Sequence, residues 1–184
     1  QANAQRILIL PLYPQYSATT VGTIFDEVFD TLKQWRWVPE IRTINHYYEH
    51  PLYAEAIAGS IRRHWAENGR GDRLLLSYHG IPLSYSEKGD PYREQCAQST
   101  RLIARALELD EEQVFFTFQS RFGPEEWLQP YLDETLEHLP KEGVKRIAVI
   151  SPAFATDCVE TLEEINQEGR EEFMEAGGEK FTYI

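Results

Sequence analysis

Cysteine is scarce in this sequence, and so are positive charges and long apolar runs. The two cysteines, Cys96 and Cys158, form no CxxC pair, so neither a zinc knuckle nor a disulfide framework is indicated. The sequence has 18 Lys and Arg against 30 Asp and Glu, which gives a net charge of −12. A chain with this much negative charge is on average repelled by nucleic acid. No apolar run approaches the roughly 18 residues that span a bilayer. These absences predict a cytoplasmic protein that does not bind nucleic acid.

The common nucleotide-binding and hydrolase motifs are also missing. Gly69 and Gly71 form a GxG pair that precedes a predicted strand instead of following one, so the dinucleotide-binding fingerprint is not met. The sequence contains no P-loop and no GxSxG nucleophile elbow. With 42% hydrophobic and 12% aromatic residues, the chain nevertheless has enough apolar material for a packed core.

Short apolar runs alternate with amphipathic stretches, which is typical of a parallel sheet covered by helices. The predicted strands are 6–12, 37–44, 72–79, 113–119, 145–151 and 180–184. The predicted helices are 19–35, 51–67, 91–108, 126–139 and 158–176. The predicted fold class is therefore α/β, with Rossmann-like parallel sheets and helices on both faces.

A turn-rich segment, residues 67–72, separates a helix from a strand and marks the predicted domain boundary. Residues 69–184 supply four strands, enough for a complete second β/α domain. Residues 1–68 supply only two strands, and such a unit buries little apolar surface by itself. We therefore expect residues 1–68 to be the remainder of a first β/α domain, and the sequence to be a fragment of a longer chain.

Residues 46–50 spell HxxEH, which in some metallopeptidases places two zinc-binding histidines on one helix. Pro51 follows directly and disfavours a helical conformation at His50. The alternative interpretation is a polar connecting loop, with His50 near a cleft because it follows a predicted strand.

Two candidate functional residues lie beyond the carboxyl ends of predicted strands. His79 ends the strand 72–79, and Glu160 follows the strand 145–151. Ligands of open β/α sheets bind at this edge, where the strand order reverses. If the four strands have the common 2-1-3-4 order, His79 and Glu160 face one crevice. A structural role stays open for each, because His79 could simply end a strand, and Glu160 could close a capping box with Asp157.

Glu160, Glu164 and Glu168 recur at every fourth position of the predicted helix 158–176. At about 100° per residue they lie opposite the apolar positions of that helix, which is typical of a solvated face. The same row could instead line a cavity and conduct hydrated cations or protons. The periodicity alone does not separate the two interpretations.

Five sequence blocks, in order along nearly the whole chain, resemble those of the ferrochelatases, which insert ferrous iron into a porphyrin to make haem. The blocks are LYPQYSATTVG (12–22), SYHGIP (77–82), KGDPYREQC (88–96), TFQSRFGPEEWLQPY (117–131) and DCVETLEEI (157–165). The resemblance implies a lyase-class metal chelatase with two similar β/α domains. It also implies that the porphyrin is held in the cleft between them.

The resemblance assigns roles to six residues. His79 matches the family's histidine and Glu160 its essential glutamate, so both are expected to be catalytic and to bind the metal. Glu164 is expected to continue the metal site along a helix widened by a π-turn. The positions that line the porphyrin cleft are matched by Tyr13, Ser120 and Trp127.

These residue types suit metal insertion, in which the porphyrin loses two pyrrole protons and the iron sheds its water. A neutral imidazole accepts a proton or binds Fe²⁺, and carboxylates hold a cation or relay protons. The sequence does not show which of His79 and Glu160 accepts the protons and which binds the metal. Porphyrin and ferrous iron are expected as substrates, while peripheral contact with a membrane and the oligomeric state are left open.

The sequence departs from the ferrochelatase pattern in its length and at one cysteine position. Ferrochelatase chains are considerably longer, so the amino-terminal part of the first domain and the carboxyl-terminal tail are expected to be missing. Some members carry a [2Fe–2S] cluster with one cysteine inside the block that matches LYPQYSATTVG, and that position is Ala18 here. No such cluster is expected from this segment.

Two other functions fit the same residues. A sister chelatase that handles cobalt or another tetrapyrrole would use the same histidine and acidic row. A non-catalytic module would bind porphyrin or metal without joining them. Turnover in a metal-insertion assay separates such a module from the enzymes.

Overall fold

The computed structural model describes residues 4–184, and strands and helices alternate along them. The strands are β1 (Arg6–Ile9), β2 (Glu40–Thr43), β3 (Arg73–His79), β4 (Val114–Gln119), β5 (Arg146–Ile150) and β6 (Lys180–Tyr183). The α-helices are α1 (Thr23–Lys33), α2 (Pro51–Asn68), α3 (Leu83–Glu87), α4 (Tyr92–Ala106), α5 (Leu132–His138) and α6 (Arg170–Glu175). The remaining helical segments are two π-helices, Ala18–Gly22 and Glu160–Gly169, and two 3-10 helices, Glu111–Gln113 and Leu139–Glu142.

The strands form two parallel sheets. β1 pairs with β2, and the other four strands are ordered β4-β3-β5-β6. All pairings in the larger sheet are parallel, and its order is the 2-1-3-4 order on which the expected crevice depends. The chain runs from β3 to β4 on one side and then returns to β5 on the other. The strand order therefore reverses between β3 and β5, the place where such sheets bind ligands.

Helices cover both faces of the larger sheet, which confirms the predicted architecture. Leu74 and Leu76 of β3 belong to the apolar layer shared with α2 and α4. Leu75 belongs to the opposite layer, shared with α5, α6 and the second π-helix. Successive strand residues point to opposite faces, so an uninterrupted apolar strand is what a sheet with two covered faces requires.

The segment after β1 is fixed beside the larger sheet by hydrogen bonds to α4 and to the residue before it. Gln15 Nε2 donates to Ser99 Oγ of α4 at 2.8 Å. Asp90, just before α4, accepts from Ser17 Oγ at 2.9 Å and from the backbone N–H of Ala18 at 2.8 Å. These bonds bring residues 12–20 to the carboxyl edge of the larger sheet.

All six predicted strands are present, but the predicted strand 6–12 ends at Ile9 and the predicted strand 37–44 covers only Glu40–Thr43. The helices need more correction. In the predicted helix 126–139, residues 126–131 are not helical and α5 begins at Leu132. Leu128 N–H donates instead to Ile81 O at 3.0 Å, and Pro130 disfavours a helical conformation in the residue before it. The predicted helix 19–35 begins as a π-helix, and α3 has no counterpart among the predicted helices.

The predicted division of the chain at residues 68 and 69 stays a prediction, and residues 1–3 of the first predicted domain lie outside the described residues. Within residues 4–184, no helix combines the length and the apolar character needed to cross a membrane.

Candidate functional site

A cavity of about 870 Å³ lies at the carboxyl edge of the larger sheet. Its walls come from residues 12–20 after β1, 79–92 after β3, 122–127 after β4 and 153–160 after β5. The last three segments converge because the parallel strands β3, β4 and β5 end at the same edge, and the hydrogen bonds of residues 15–18 to Ser99 and Asp90 bring the first segment beside them. The volume lies within the range of small-molecule binding sites.

Aromatic and aliphatic side chains form most of the wall. Phe122 and Trp127 pack together with their ring centroids 4.9 Å apart. Trp127 is buried, whereas Phe122 is 75% exposed and Tyr13 is 42% exposed at the rim. The other aromatic residues in the wall are Tyr85, Tyr92 and Phe154. Such a wall suits a large, flat, mainly apolar ligand.

Two buried polar atoms belong to residues of the cavity wall. Gln15 Oε1 and Trp127 Nε1 have no hydrogen-bond partner in the part of the chain that the structure describes. A buried polar atom without a partner costs about 1–3 kcal/mol. Ordered water or a small shift of either side chain would satisfy them.

His79 ends β3 and lies in the cavity wall. Its Nδ1 is 2.7 Å from the carbonyl oxygen of Gly80. A carbonyl oxygen only accepts hydrogen bonds, so the neutral ring carries its proton on Nδ1. The lone pair on Nε2 is then free to accept a proton or to bind a metal ion.

Glu160 begins the second π-helix and lies in the same cavity wall as His79. Its own backbone N–H and the Cys158 thiol donate to the carboxylate and hold the pKa of Glu160 below its usual range, and the nearby His79 adds to this. The carboxylate is therefore ionised at neutral pH. The structure thus brings a free imidazole nitrogen and an anionic oxygen into one cavity.

Asp157 and Glu160 do not form the capping box considered from the sequence. Asp157 Oδ1 accepts hydrogen bonds from Thr161 Oγ1 and Tyr183 Oη, each at 3.0 Å. Val159 precedes the π-helix and makes no side-chain capping bond. The capping interpretation of Glu160 is wrong, since its carboxylate belongs to the cavity wall.

The acidic row of the second π-helix divides into three environments. Glu160 lines the cavity, whereas Glu164 accepts two hydrogen bonds from Ser120, from its backbone N–H at 2.5 Å and from Oγ at 2.6 Å. Glu168 is exposed. The cavity interpretation therefore applies to the first residue and the solvated-face interpretation to the last. The helix itself is π-helical over Glu160–Gly169, as the resemblance implied.

The residues expected to line the substrate cleft are only partly in the wall. Tyr13 and Trp127 line the cavity, whereas Ser120 lies beside it and holds Glu164. Phe122 and Phe154 line the cavity without having been expected from the sequence. The available signal was their position, because each belongs to a loop that follows a strand of the larger sheet.

The HxxEH segment has no zinc-site geometry. Residues 48 and 49 form a turn, and His50 precedes α2, where its Nδ1 accepts from the backbone N–H of Leu52 at 3.2 Å. Within residues 4–184 no three or more His, Cys, Asp or Glu side chains are grouped so that they could hold a metal ion. The peptidase interpretation is therefore wrong, and His79, Glu160 and Glu164 do not form a closed three-ligand site either.

Gly80 leaves no room for a side chain between His79 and the cavity wall. A Cβ atom at Gly80 would lie 3.0 Å from Gln119 O and 3.0 Å from Trp127 Cε3. We expect Gly80→Ala to displace the Trp127 ring, to cost about 1–3 kcal/mol of stability and to weaken ligand binding in the cavity. Gly59→Ala is the matched control, because a Cβ at Gly59 in α2 meets only Arg63 Nη1, at 3.6 Å, and should be neutral or stabilising. Chemical denaturation measures the stability, and titration with a porphyrin, the ligand that the resemblance implies, measures the binding. Equal stability and equal binding in the two variants would contradict this prediction.

Glu172 of α6 lies in strongly acidic surroundings. Burial raises the pKa of its carboxyl, and the charges that raise it further are those of Asp133, Glu137, Glu168 and Glu164. A carboxyl whose pKa is raised by folding destabilises the folded state once it is ionised. We expect Glu172→Gln to raise the melting temperature at pH 7 by about 1–2 °C.

This gain should shrink as the pH falls toward the unfolded carboxyl value of about 4.3, because wild-type Glu172 is then protonated as well. The exposed neighbour Glu171 serves as the control, and Glu171→Gln should change the melting temperature less. A gain that does not depend on pH would show that charge repulsion is not its cause.

Comparisons with known proteins agree with the geometry. A family model described as Ferrochelatase matches residues 1–184. The ferrochelatase of Marinobacter nauticus is 55% identical over 184 residues, which are 100% of this chain and 50% of that protein. Those of Hydrogenovibrio crunogenus and Vibrio cholerae serotype O1 are 53% and 51% identical, over 99% and 100% of this chain and 48% and 58% of their own lengths. The chain spans about half the length of the curated relatives it matches.

Proposed function

The chain belongs to the ferrochelatase family, and on that premise we propose that it serves the insertion of ferrous iron into protoporphyrin IX. The product is protohaem, and the reaction is the terminal step of haem biosynthesis. Iron is a substrate here, and a cytoplasmic location is part of the proposal. The observation that carries it is that His79 and Glu160 line one largely apolar cavity of about 870 Å³.

His79 is proposed to accept a proton from a pyrrole nitrogen. Because Nδ1 is engaged with Gly80 O, Nε2 is the only ring nitrogen of the neutral imidazole with a free lone pair. Imidazole gains and loses a proton readily near neutral pH. Metal insertion releases two pyrrole protons for each ferrous ion bound, so a proton acceptor in the cavity directly favours the reaction.

Glu160 is proposed to hold the incoming ferrous ion. The hydrogen bonds that lower its pKa make it a weak base at neutral pH, but they leave it anionic, which suits a cation. The Glu160 carboxylate replaces part of the water shell that the ion must shed. His79 Nε2 is a second candidate ligand for the ion only before it accepts the pyrrole proton, because one lone pair serves both purposes.

The aromatic wall is proposed to hold the porphyrin. Trp127 packs against Phe122 and lies beside Gly80, so its ring is held in place in the apolar wall, with Tyr13 at the rim. Rigid walls allow binding energy to distort a flat ligand toward the shape in which its nitrogen lone pairs are exposed.

The test is anaerobic insertion of Fe²⁺ into protoporphyrin IX by the full-length protein, followed by the change in porphyrin absorbance. We expect a protein-dependent rate that saturates with both substrates. Insertion of Co²⁺ but not of Fe²⁺ would favour a cobalt chelatase. Porphyrin binding without insertion of either metal would overturn the enzymatic proposal in favour of a carrier.

A further inference from the structure

Gln119, the last residue of β4, connects the two halves of the candidate site through its side chain. It is only 4% exposed. Its Oε1 accepts a hydrogen bond from Ser77 Oγ of β3 at 2.6 Å. Its Nε2 donates to the backbone carbonyl oxygen of Glu160 at 3.0 Å. One buried amide therefore joins β3, β4 and the first residue of the second π-helix.

The backbone of Gln119 holds the other half of the site. Gln119 is the parallel partner of His79 in the sheet, and its carbonyl oxygen accepts from the backbone N–H of Gly80 at 2.8 Å. The chain directly after His79 and the chain at Glu160 are thus bonded to the same residue. The relative position of the two candidate reacting groups depends on Gln119.

We propose that Gln119 is a positioning residue that holds Glu160 in register with His79 for metal insertion. The inference rests on the proposed function, because a fixed spacing of these two groups matters only if they act on one substrate. The orientation of the amide is determined by its partners, since Glu160 O only accepts and Nε2 must therefore face it. Ser77 Oγ then donates to Oε1, so both polar ends of the amide are occupied.

The next residue makes a second attachment to the same helix. Ser120 donates two hydrogen bonds to Glu164, one helical turn after Glu160. Ser120 has a φ of 64°, a left-handed conformation that a residue other than glycine adopts only at a cost. Gln119 and Ser120 together fix one turn of the π-helix to the end of β4.

The bond from Gln119 is expected to matter for rate because proton acceptance and metal delivery require atoms at defined separations. A misplacement of about 1 Å can cost up to about 100-fold in rate. Gln119 does not line the cavity, so removing its amide leaves the porphyrin-binding wall unchanged. The substitution should therefore lower kcat and weaken the use of the metal ion, while the affinity for porphyrin stays the same.

Gln119→Leu in the full-length protein tests this inference, because leucine fills the same space without the two hydrogen bonds. We expect kcat for Zn²⁺ or Fe²⁺ insertion to fall roughly 10- to 100-fold, with the KM for porphyrin changed by less than about 3-fold. Gln167→Leu, at an exposed position of the same π-helix, should keep the wild-type rate.

Ser77→Ala supplies a graded test. It removes the donor to Gln119 Oε1 and should slow insertion by about 3- to 10-fold, the value of one neutral hydrogen bond. If Ser77 acts only by orienting Gln119, adding Ser77→Ala to Gln119→Leu should reduce the rate little further. Multiplicative effects would show instead that Ser77 acts by another route.

Hydrogen exchange gives a readout that does not need turnover. We expect Gln119→Leu to speed amide exchange in residues 158–165, and Gln167→Leu to leave it unchanged, because only the former releases the start of the helix. An unchanged kcat and unchanged exchange in Gln119→Leu would overturn the positioning role while leaving the proposed function intact. A wild-type protein that inserts no metal would overturn the proposed function, whatever the exchange data show.

Discussion

Replacing His79 by alanine is expected to slow metal insertion by roughly 10²- to 10⁴-fold, the usual contribution of a general acid or base. The variant loses the free Nε2 lone pair, which is the proposed acceptor of the pyrrole proton. The KM for porphyrin should change little, because the aromatic wall formed by Trp127 and Phe122 is untouched. The rate of porphyrin metallation under anaerobic conditions is the measurement, together with a fluorescence titration of porphyrin binding.

His138→Ala is the matched control for this variant. His138 lies at the exposed end of α5, where its ring contacts Glu142 at 3.3 Å, and it does not line the cavity. Its replacement should leave the insertion rate unchanged. If His79→Ala keeps the wild-type rate, or if it loses porphyrin binding in proportion to rate, then His79 is a structural residue of the wall and not a proton acceptor.

Glu160→Gln is expected to lower kcat/KM for the metal ion by roughly 100-fold, the usual effect of removing one group that stabilises charge in a site. Glutamine keeps the shape of the side chain and can still accept from the neighbouring donors, but it has no charge to attract Fe²⁺. Saturation curves for the metal at fixed porphyrin concentration separate this effect from altered porphyrin binding. The loss should be larger at low metal concentration.

Glu163→Gln is the control for Glu160→Gln, since Glu163 is an exposed acid on the same π-helix. It removes the same charge from the same element without touching the cavity wall, so the rate should stay within about 2-fold of wild type, as exposed charges contribute little. An equal loss in both variants would mean that the general negative field of the helix attracts the metal, and that Glu160 has no special role.

The architecture could be predicted from the sequence because its signals are local. Apolar runs such as Leu74–Leu76 occur only where both faces of a strand are covered, so each strand of the larger sheet was identified by its own residues. The order of the strands was assumed from the common 2-1-3-4 pattern of β/α units, and the structure has that order. Residues 126–131 were misjudged because their backbone bonds go to a distant segment at Ile81.

The candidate pair, His79 and Glu160, could also be predicted from the sequence. The hydrogen bonds by which Gln119 and Ser120 hold the pair in place could not. His79 and Glu160 were found because the carboxyl ends of strands β3 and β5 must meet at one edge. Gln119 is also at a strand end, but its importance depends on bonds to residues 42 and 41 positions away. The pairing of Ser120 with Glu164 likewise depends on how the π-helix sits on β4, which helical periodicity does not reveal.

The most direct test of the account is the insertion rate of the double variant His79→Ala, Glu160→Gln, measured beside wild type and both single variants in one anaerobic assay. If the two side chains act on one porphyrin and one ion in the same cavity, each single variant should lose rate while it still binds porphyrin, and the double variant should be at least as slow as the slower single variant. A double variant that keeps the wild-type rate would contradict the account, since metal insertion would then need neither His79 nor Glu160.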